Sequence, residues 1–138
     1  MAKQIRYGMV GGGLNAFIGG VHRKALNFDT RAELVAGSFS SHADRNATTG
    51  EAYCLDPARV YASYEEMAKA EAAREDGIDF VSVVTPNNMH YPVCKAFLEA
   101  GINVVCEKPL CFTVAQAEEL CRLSREKGLL FGVTYTYT

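Results

Sequence analysis

IRYGMVGGGLNAFIG, residues 5–19, is an apolar run that breaks into three glycines and resumes with helical character. Ile5, Tyr7, Met9 and Val10 read as a buried strand, Gly11, Gly12 and Gly13 as a turn, and Leu14 onward as a helix. The spacing Gly11-x-Gly13-x-x-Ala16 satisfies the G-x-G-x-x-G/A fingerprint of dinucleotide sites, in which each small residue has its own steric task. Gly11 permits the tight turn, Gly13 has no Cβ to hold a pyrophosphate off the backbone, and Ala16 lets the helix settle close on the strand. An anion placed there meets free N–H groups and the positive end of the helix dipole. The expected contacts are Gly11, Gly12, Gly13, Leu14, Asn15 and Ala16 in the loop, with Ile18 on the first helical turn. A glycine triplet alone is equally a plain turn, so the decision passes to the rest of the chain.

With 138 residues, the chain is long enough for one domain that buries about 70% of its unfolded surface. A net charge of −2 and a pI near 5.9 give no basic face for nucleic acid or an anionic membrane. Met1 leads through few residues into the first strand, with no apolar run of signal-peptide or spanning length, so a soluble cytoplasmic protein is expected. The sequence carries no signal for or against a homo-oligomer. The five cysteines form no C-x-x-C pair. Cys54, Cys94, Cys106 and Cys121 sit in apolar patterns and read as buried, reduced thiols. Cys106 and Cys111 flank Glu107-Lys108-Pro109-Leu110 without histidine partners at ligand spacing, so no metal site is expected.

Strands and helices alternate along the whole chain. Ile18, Val21, His22 and Ala25 mark the sheet-facing stripe of the first helix, which makes His22 a packed histidine rather than a ligand. Residues 32–37, AELVAG, form the second strand. A helix follows over about residues 42–53, with Ser41 as an N-cap and Asp44 at N3. Asp56-Pro57 turns the chain into a short strand at 59–61. Ser63-x-x-Glu66 is a capping box for the next helix, closed by Asp76-Gly77. Residues 80–84 form a central strand, and Val93, Ala96, Phe97 and Ala100 mark the helix after it, stopped by Gly101. Residues 102–106 form the next strand. Thr113-x-x-Gln116 caps the last helix, whose stripe is Val114, Ala117, Leu120, Cys121 and Ser124, and a last strand spans 129–135. This alternation predicts an α/β fold, a doubly wound parallel Rossmann sheet whose right-handed crossovers bring all strand C-termini to one rim.

Ligands of such sheets bind at that rim, so function is expected in the residues that directly follow strands. The second strand ends in Ser38-Phe39-Ser40-Ser41-His42-Ala43-Asp44-Arg45, with no carboxylate at its tip for a ribose 2′-hydroxyl. Ser40, Ser41 and Arg45 suit a 2′-phosphate better, which leans the cofactor NAD(P) toward NADP. A solvated Arg45 is the plain alternative. The fourth tip carries Thr85-Pro86-Asn87-Asn88-Met89-His90 and the fifth Glu107-Lys108-Pro109. A charged pair after a strand is either a solvated turn or a carboxylate for ribose hydroxyls beside an ammonium that acts on a substrate oxygen.

VTPNNMHYPVCKAFLEAGINVVCEKPL, taken with GMVGGGLNAFIG, resembles the glucose-fructose oxidoreductase and inositol dehydrogenase family, NAD(P)-dependent enzymes of sugars, inositols and related polyols. The likeness covers the whole chain but only the first of that family's two domains. It implies that Lys108, the E-K-P lysine, contacts substrate and the nicotinamide end of the cofactor, and that Glu107 lies near the nicotinamide ribose. It implies a cis Lys108-Pro109 bond. Thr85, Pro86, Asn87 and His90 match a cofactor-lining turn, with His90 either touching the cofactor or packed beneath the turn. Relatives continue into an antiparallel-sheet domain with a D-x-x-x-H pair, whereas this sequence stops at Thr138 and reads as a fragment of a longer protein. The closing Gly132 to Tyr137 lacks the His-Asn of some relatives, so no substrate role is carried onto it.

The expected function is the cofactor half of an oxidoreductase that moves hydride between nicotinamide and a sugar, inositol or related polyol, with Lys108 as catalytic residue. A non-catalytic dinucleotide-binding sensor or regulator is the alternative. A methyltransferase-type domain has no evident use for E-K-P.

Overall fold

The computed structural model describes residues 3–135. The elements follow in the order β1 (Ile5–Gly11), α1 (Phe17–Asn27), β2 (Ala32–Ser38), α2 (Ala43–Ala52), α3 (Tyr64–Ala73), β3 (Phe80–Val84), α4 (His90–Glu99), β4 (Asn103–Glu107), α5 (Val114–Glu126) and β5 (Phe131–Thr134). Single 3-10 turns lie at Pro57–Arg59 and Asn87–Met89. All strand pairings are parallel, in the order β2-β1-β3-β4-β5. The chain winds outward from β1 to β2 and then returns past β1 to β3, the doubly wound topology expected from the sequence.

The strand expected at 59–61 is reduced to one bridge, from Val60 to Gly37. The 3-10 turn that Pro57 opens runs through Arg59 and takes the first of those residues out of the ladder. Val60 still lies outside β2, so a rudimentary strand there gives the 3-2-1-4-5-6 order of dinucleotide-binding sheets. The segment is held from below by a buried ion pair. The Glu71 carboxylate accepts from Arg59 Nε at 3.2 Å, from Arg59 Nη2 and the Tyr61 hydroxyl at 2.5 Å each, and from the Ile78 N–H at 3.2 Å.

Alternation along the strands divides the core between two faces. Val10, Ala36, Val81, Val83 and Val104 are buried with Val93, Phe97 and Leu98 of α4 and Leu120 of α5. Tyr7, Met9 and Val84 turn the other way, against Ile18 and Leu26 of α1. Each large apolar side chain fully buried in this way contributes about 1.5–3 kcal/mol.

Helix α1 departs from its expected start. The chain first makes a turn in which the Ala16 N–H donates to the Gly13 carbonyl at 2.8 Å, and the helix begins at Phe17 rather than at Leu14. Ala16 is exposed at the N-cap. The close approach assigned to it belongs to Gly19, where a Cβ would stand 2.5 Å from the Gly12 Cα. That contact sets how closely the helix lies: Gly19 and His22 are buried, while Val21 and Ala25 line an open hollow with Phe80 and Val105 and stay exposed.

In α5, Leu120 and Ser124 are buried as expected, but Val114 is exposed because it opens the first turn. The Ser63 and Thr113 hydroxyls cap their helices, accepting from Glu66 and Gln116 N–H at 3.2 Å. Ser41 does not cap α2, whose N-cap position is His42 without a side-chain bond. Cys94 and Cys106 are buried, Cys111 and Cys121 half-buried, and Cys54 is exposed. Cys54 follows the end of α2 at φ 58°, which turns it away from the core. Residues 136–138, part of the predicted closing strand, lie outside the described residues. Among the described residues no helix is long and apolar enough to cross a membrane.

Candidate functional site

At the switch point, where the paired tips of β1 and β3 meet the tip of β2, the strand C-termini open a crevice of about 520 Å³. Gly11 ends β1, and at φ 82° a Cβ on it would stand 2.9 Å from the Thr85 N, so only glycine lets the two strand tips approach. Ser38, Phe39, Ser40 and Ser41 form one wall, and Thr85, Pro86 and Met89 another. A second hollow of about 400 Å³ shares Phe39 and Ser40 with the first and runs along Gly13, Leu14, Asn15 and Ala16 to Arg45. Together the hollows trace a path from the glycine turn to the tip of β2.

The path is held by side chains beneath it. The Tyr53 hydroxyl donates to the Gly12 carbonyl at 3.3 Å, with the Arg23 guanidinium 3.8 Å over its ring. Asn46, 5% exposed, accepts from the Phe39 N–H at 2.8 Å and donates to the Tyr61 carbonyl at 2.7 Å. It therefore fixes the tip of β2 to the rudimentary strand beside it.

Two observations fit a dinucleotide on this path. Thr85 and Pro86, directly after β3, stand across the crevice from Gly11 at the end of β1, where a ligand of such a sheet binds. A Cβ built on Gly13 meets nothing nearer than the Phe39 carbonyl at 3.7 Å, so the backbone there is open to close approach. Because Ala16 cannot cap α1, the first N–H groups of that helix remain for an anion.

The structure brings most of the expected residues to this path but not all. Ile18 packs inward beside α1's core residues. Asn87 opens an exposed 3-10 turn and lines neither hollow. His90 is fully buried beneath the turn, with Nδ1 2.5 Å from the Pro109 carbonyl and Nε2 3.0 Å from that of Thr85. Glu107 ends β4 on the α1 face, 6% exposed, so that its carboxylate accepts from Thr134 Oγ1 at 2.7 Å and from His22 Nε2 at 2.8 Å. His22 Nδ1 stands 2.8 Å from Ser82 Oγ. This Ser–His–Glu chain ties β3, α1 and β4 together; fully buried in mid-strand, Ser82 cannot meet a substrate. What reaches the rim is Lys108, exposed, with the bond to Pro109 cis as expected.

Residues 62–65 also line the crevice, and the reading of the sequence passed over them. The signal was available, since they directly follow a segment read as a strand. Asp44, beside Arg45 in the second hollow, places a carboxylate there as well. Among the described residues no cluster of histidine, cysteine or carboxylate side chains is arranged to hold a metal ion.

A doubly wound sheet with a glycine turn and crevice at its switch point defines a Rossmann dinucleotide-binding domain. The chain belongs to the Gfo/Idh/MocA oxidoreductase family, with its NAD-binding Rossmann fold, which it matches over residues 5–135. It is 45% identical to the uncharacterized oxidoreductase YfiI of Bacillus subtilis over all of this chain and 35% of that protein. A crystal structure of an oxidoreductase from Pseudomonas syringae superposes with TM-score 0.94 at 50% identity, over 98% of this chain and 37% of that one. An inositol dehydrogenase homolog from Azotobacter vinelandii, solved with NADH and myo-inositol, gives TM-score 0.94 at 46% identity, over 97% and 35%. The chain thus spans about a third of the length of these relatives.

Proposed function

We propose that this chain holds NAD(P) along the crevice and, within a longer protein, serves hydride transfer between the nicotinamide and a sugar, inositol or related polyol. The observation that carries the reading is the glycine turn at the switch point, where Gly11 at φ 82° packs on the Thr85 backbone and Gly13 leaves its backbone open to close approach. Gly11 to Ala16 and the start of α1 take the diphosphate, with Thr85 and Pro86 forming the opposite wall. The bound nicotinamide supplies the hydride donor or acceptor. Lys108 follows β4 at the rim and stabilises negative charge developing on the substrate oxygen. Glu107 supports that turn from beneath through its carboxylate. The likeness to a protein that binds myo-inositol supports a cyclitol or sugar as substrate.

Cofactor choice rests on the tip of β2. Ser40, Ser41 and Arg45 offer hydroxyls and a guanidinium where a 2′-phosphate would lie, while Asp44 opposes them with one carboxylate. The bidentate guanidinium outweighs a single carboxylate that solvent screens, so NADP(H) binds at least as tightly as NAD(H). Calorimetric titration of the chain with both cofactors tests this. A tenfold preference for NAD(H) removes the phosphate assignment, and binding of neither removes the site.

A further inference from the structure

Both ring nitrogens of His90 face carbonyl oxygens, that of Pro109 at 2.5 Å and that of Thr85 at 3.0 Å. A carbonyl oxygen only accepts, and a neutral imidazole has one N–H to give. In either neutral tautomer one contact would set lone pair against lone pair; the imidazolium satisfies both. The two carbonyls belong to the segments that carry the site, the turn after β3 and the peptide that follows Lys108.

We propose that His90 is a buried imidazolium strap, a positioning residue that ties the Thr85 wall of the crevice to the Lys108 turn so that both hold one geometry. The functional part rests on the cofactor reading above; the charge state rests on the two carbonyl contacts alone. A buried cation is costly unless a counter-charge lies near. The titratable groups around the ring are thiols: Cys106 of β4 beside it, Cys94 on its own helix against Cys106, and Cys111 beyond the turn, with Glu107 acting on Cys106 from the next position. The Cys94 bond and then His90 hold Cys106 below the ordinary thiol range, while Cys94 is driven up. Burial alone pulls His90 down, but Cys106 and the Pro109 and Thr85 carbonyls outweigh it and carry it up to about 9. The strap is therefore charged throughout the neutral range and is lost as pH rises through about 9.

The test is the nitrogen NMR spectrum of the 138-residue chain, with the His90 signal assigned by its loss in His90→Gln. The expected result is two protonated ring nitrogens at pH 7 that titrate near pH 9. A neutral tautomer at pH 7 overturns the proposal. NADH affinity of the wild type should be level from pH 6 to 8 and weaken severalfold above pH 9, whereas His90→Gln should bind about tenfold more weakly with no such step. A variant that keeps wild-type affinity and the step would sink the positioning role. Failure to bind either cofactor would end the site reading instead, and the spectrum would still decide the charge.

Discussion

Arg45 is exposed on the first turn of α2, and its side chain can swing over the second hollow without disturbing the helix, whose own bond from Thr49 Oγ1 uses only the Arg45 carbonyl. Arg45→Ala should therefore weaken NADP(H) by about 1.5–3 kcal/mol, the range for a hydrogen bond to a charged group. NAD(H) affinity should be unchanged, since it has no phosphate at that position. Paired titrations measure both. Lys108 gives a second prediction, because the role proposed for its ammonium is at the substrate oxygen and not at the diphosphate. In the longer protein Lys108→Met should lower kcat by about 100- to 1,000-fold, the effect of removing one donor to developing charge. Cofactor affinity should change little, and a variant that loses affinity but keeps kcat would reverse the assignment. Lys108 was legible because a charge directly after an apolar strand must lie at the rim. The partners of Glu107 and His90 were not: His22 and Thr134 meet Glu107 across separations of 85 and 27 residues, which no local pattern encodes.

At the scale of elements, α3 supports the crevice through one buried carboxylate. Glu71 is 2% exposed and carries Arg59, Tyr61 and the Ile78 N–H at once. Burial and then the Glu71 carboxylate push the Tyr61 hydroxyl up to about 12, so it stays a proton donor throughout the neutral range. Glu71→Ala leaves the buried Arg59 guanidinium with Asp76 alone, whose carboxylate stands 3.7 Å away, and should cost about 3 kcal/mol, the low end for breaking a buried pair. Urea unfolding should show the midpoint falling with the slope unchanged. Because Tyr61 leads into residues 62–65 of the crevice wall, cofactor affinity should fall too, even at temperatures where the variant remains folded. A variant with full stability would show that the pair contributes nothing. The helix caps at Ser63 and Thr113 were readable from spacing, as a hydroxyl three residues before an N–H is a local geometry. The turn at Asp56-Pro57 was readable from its residues, but not that it runs on as a 3-10 turn through Arg59 and takes the first residue of the expected strand.

For the whole molecule, the chain spans about a third of its relatives' length, and under the proposed function its rim supplies one wall of the substrate site. Orientation of the reacting carbon contributes roughly 7–11 kcal/mol to such reactions, and one open wall supplies little of it. The 138-residue chain should bind cofactor yet show no measurable turnover with sugars or inositols, assayed beside the longer protein with both cofactors. Turnover equal to that protein's would place the substrate site within these residues. The sheet face beside α1 fits this division: Val21, Ala25, Phe80 and Val105 line an open apolar hollow of about 240 Å³ there, and Phe17 is 78% exposed.

Period and punctuation were enough for the parallel alternating sheet, its glycine turn and its rim, because each follows from neighbours a few residues apart: apolar runs, caps and glycines at φ above zero. The seating of α1, the turned-in carboxylate and the protonated histidine came from elsewhere. Gly19 against Gly12 sets how closely α1 lies on the sheet, and the packing that follows buries His22 and leaves Val21 at an open hollow. Whether Glu107 reaches solvent depends on the strand face it occupies and on what α1 and β5 offer there. The charge on His90 is fixed by two carbonyls, 5 and 19 residues away along the chain. These are choices among long-range contacts of similar local cost, and packing makes them once the sheet has formed.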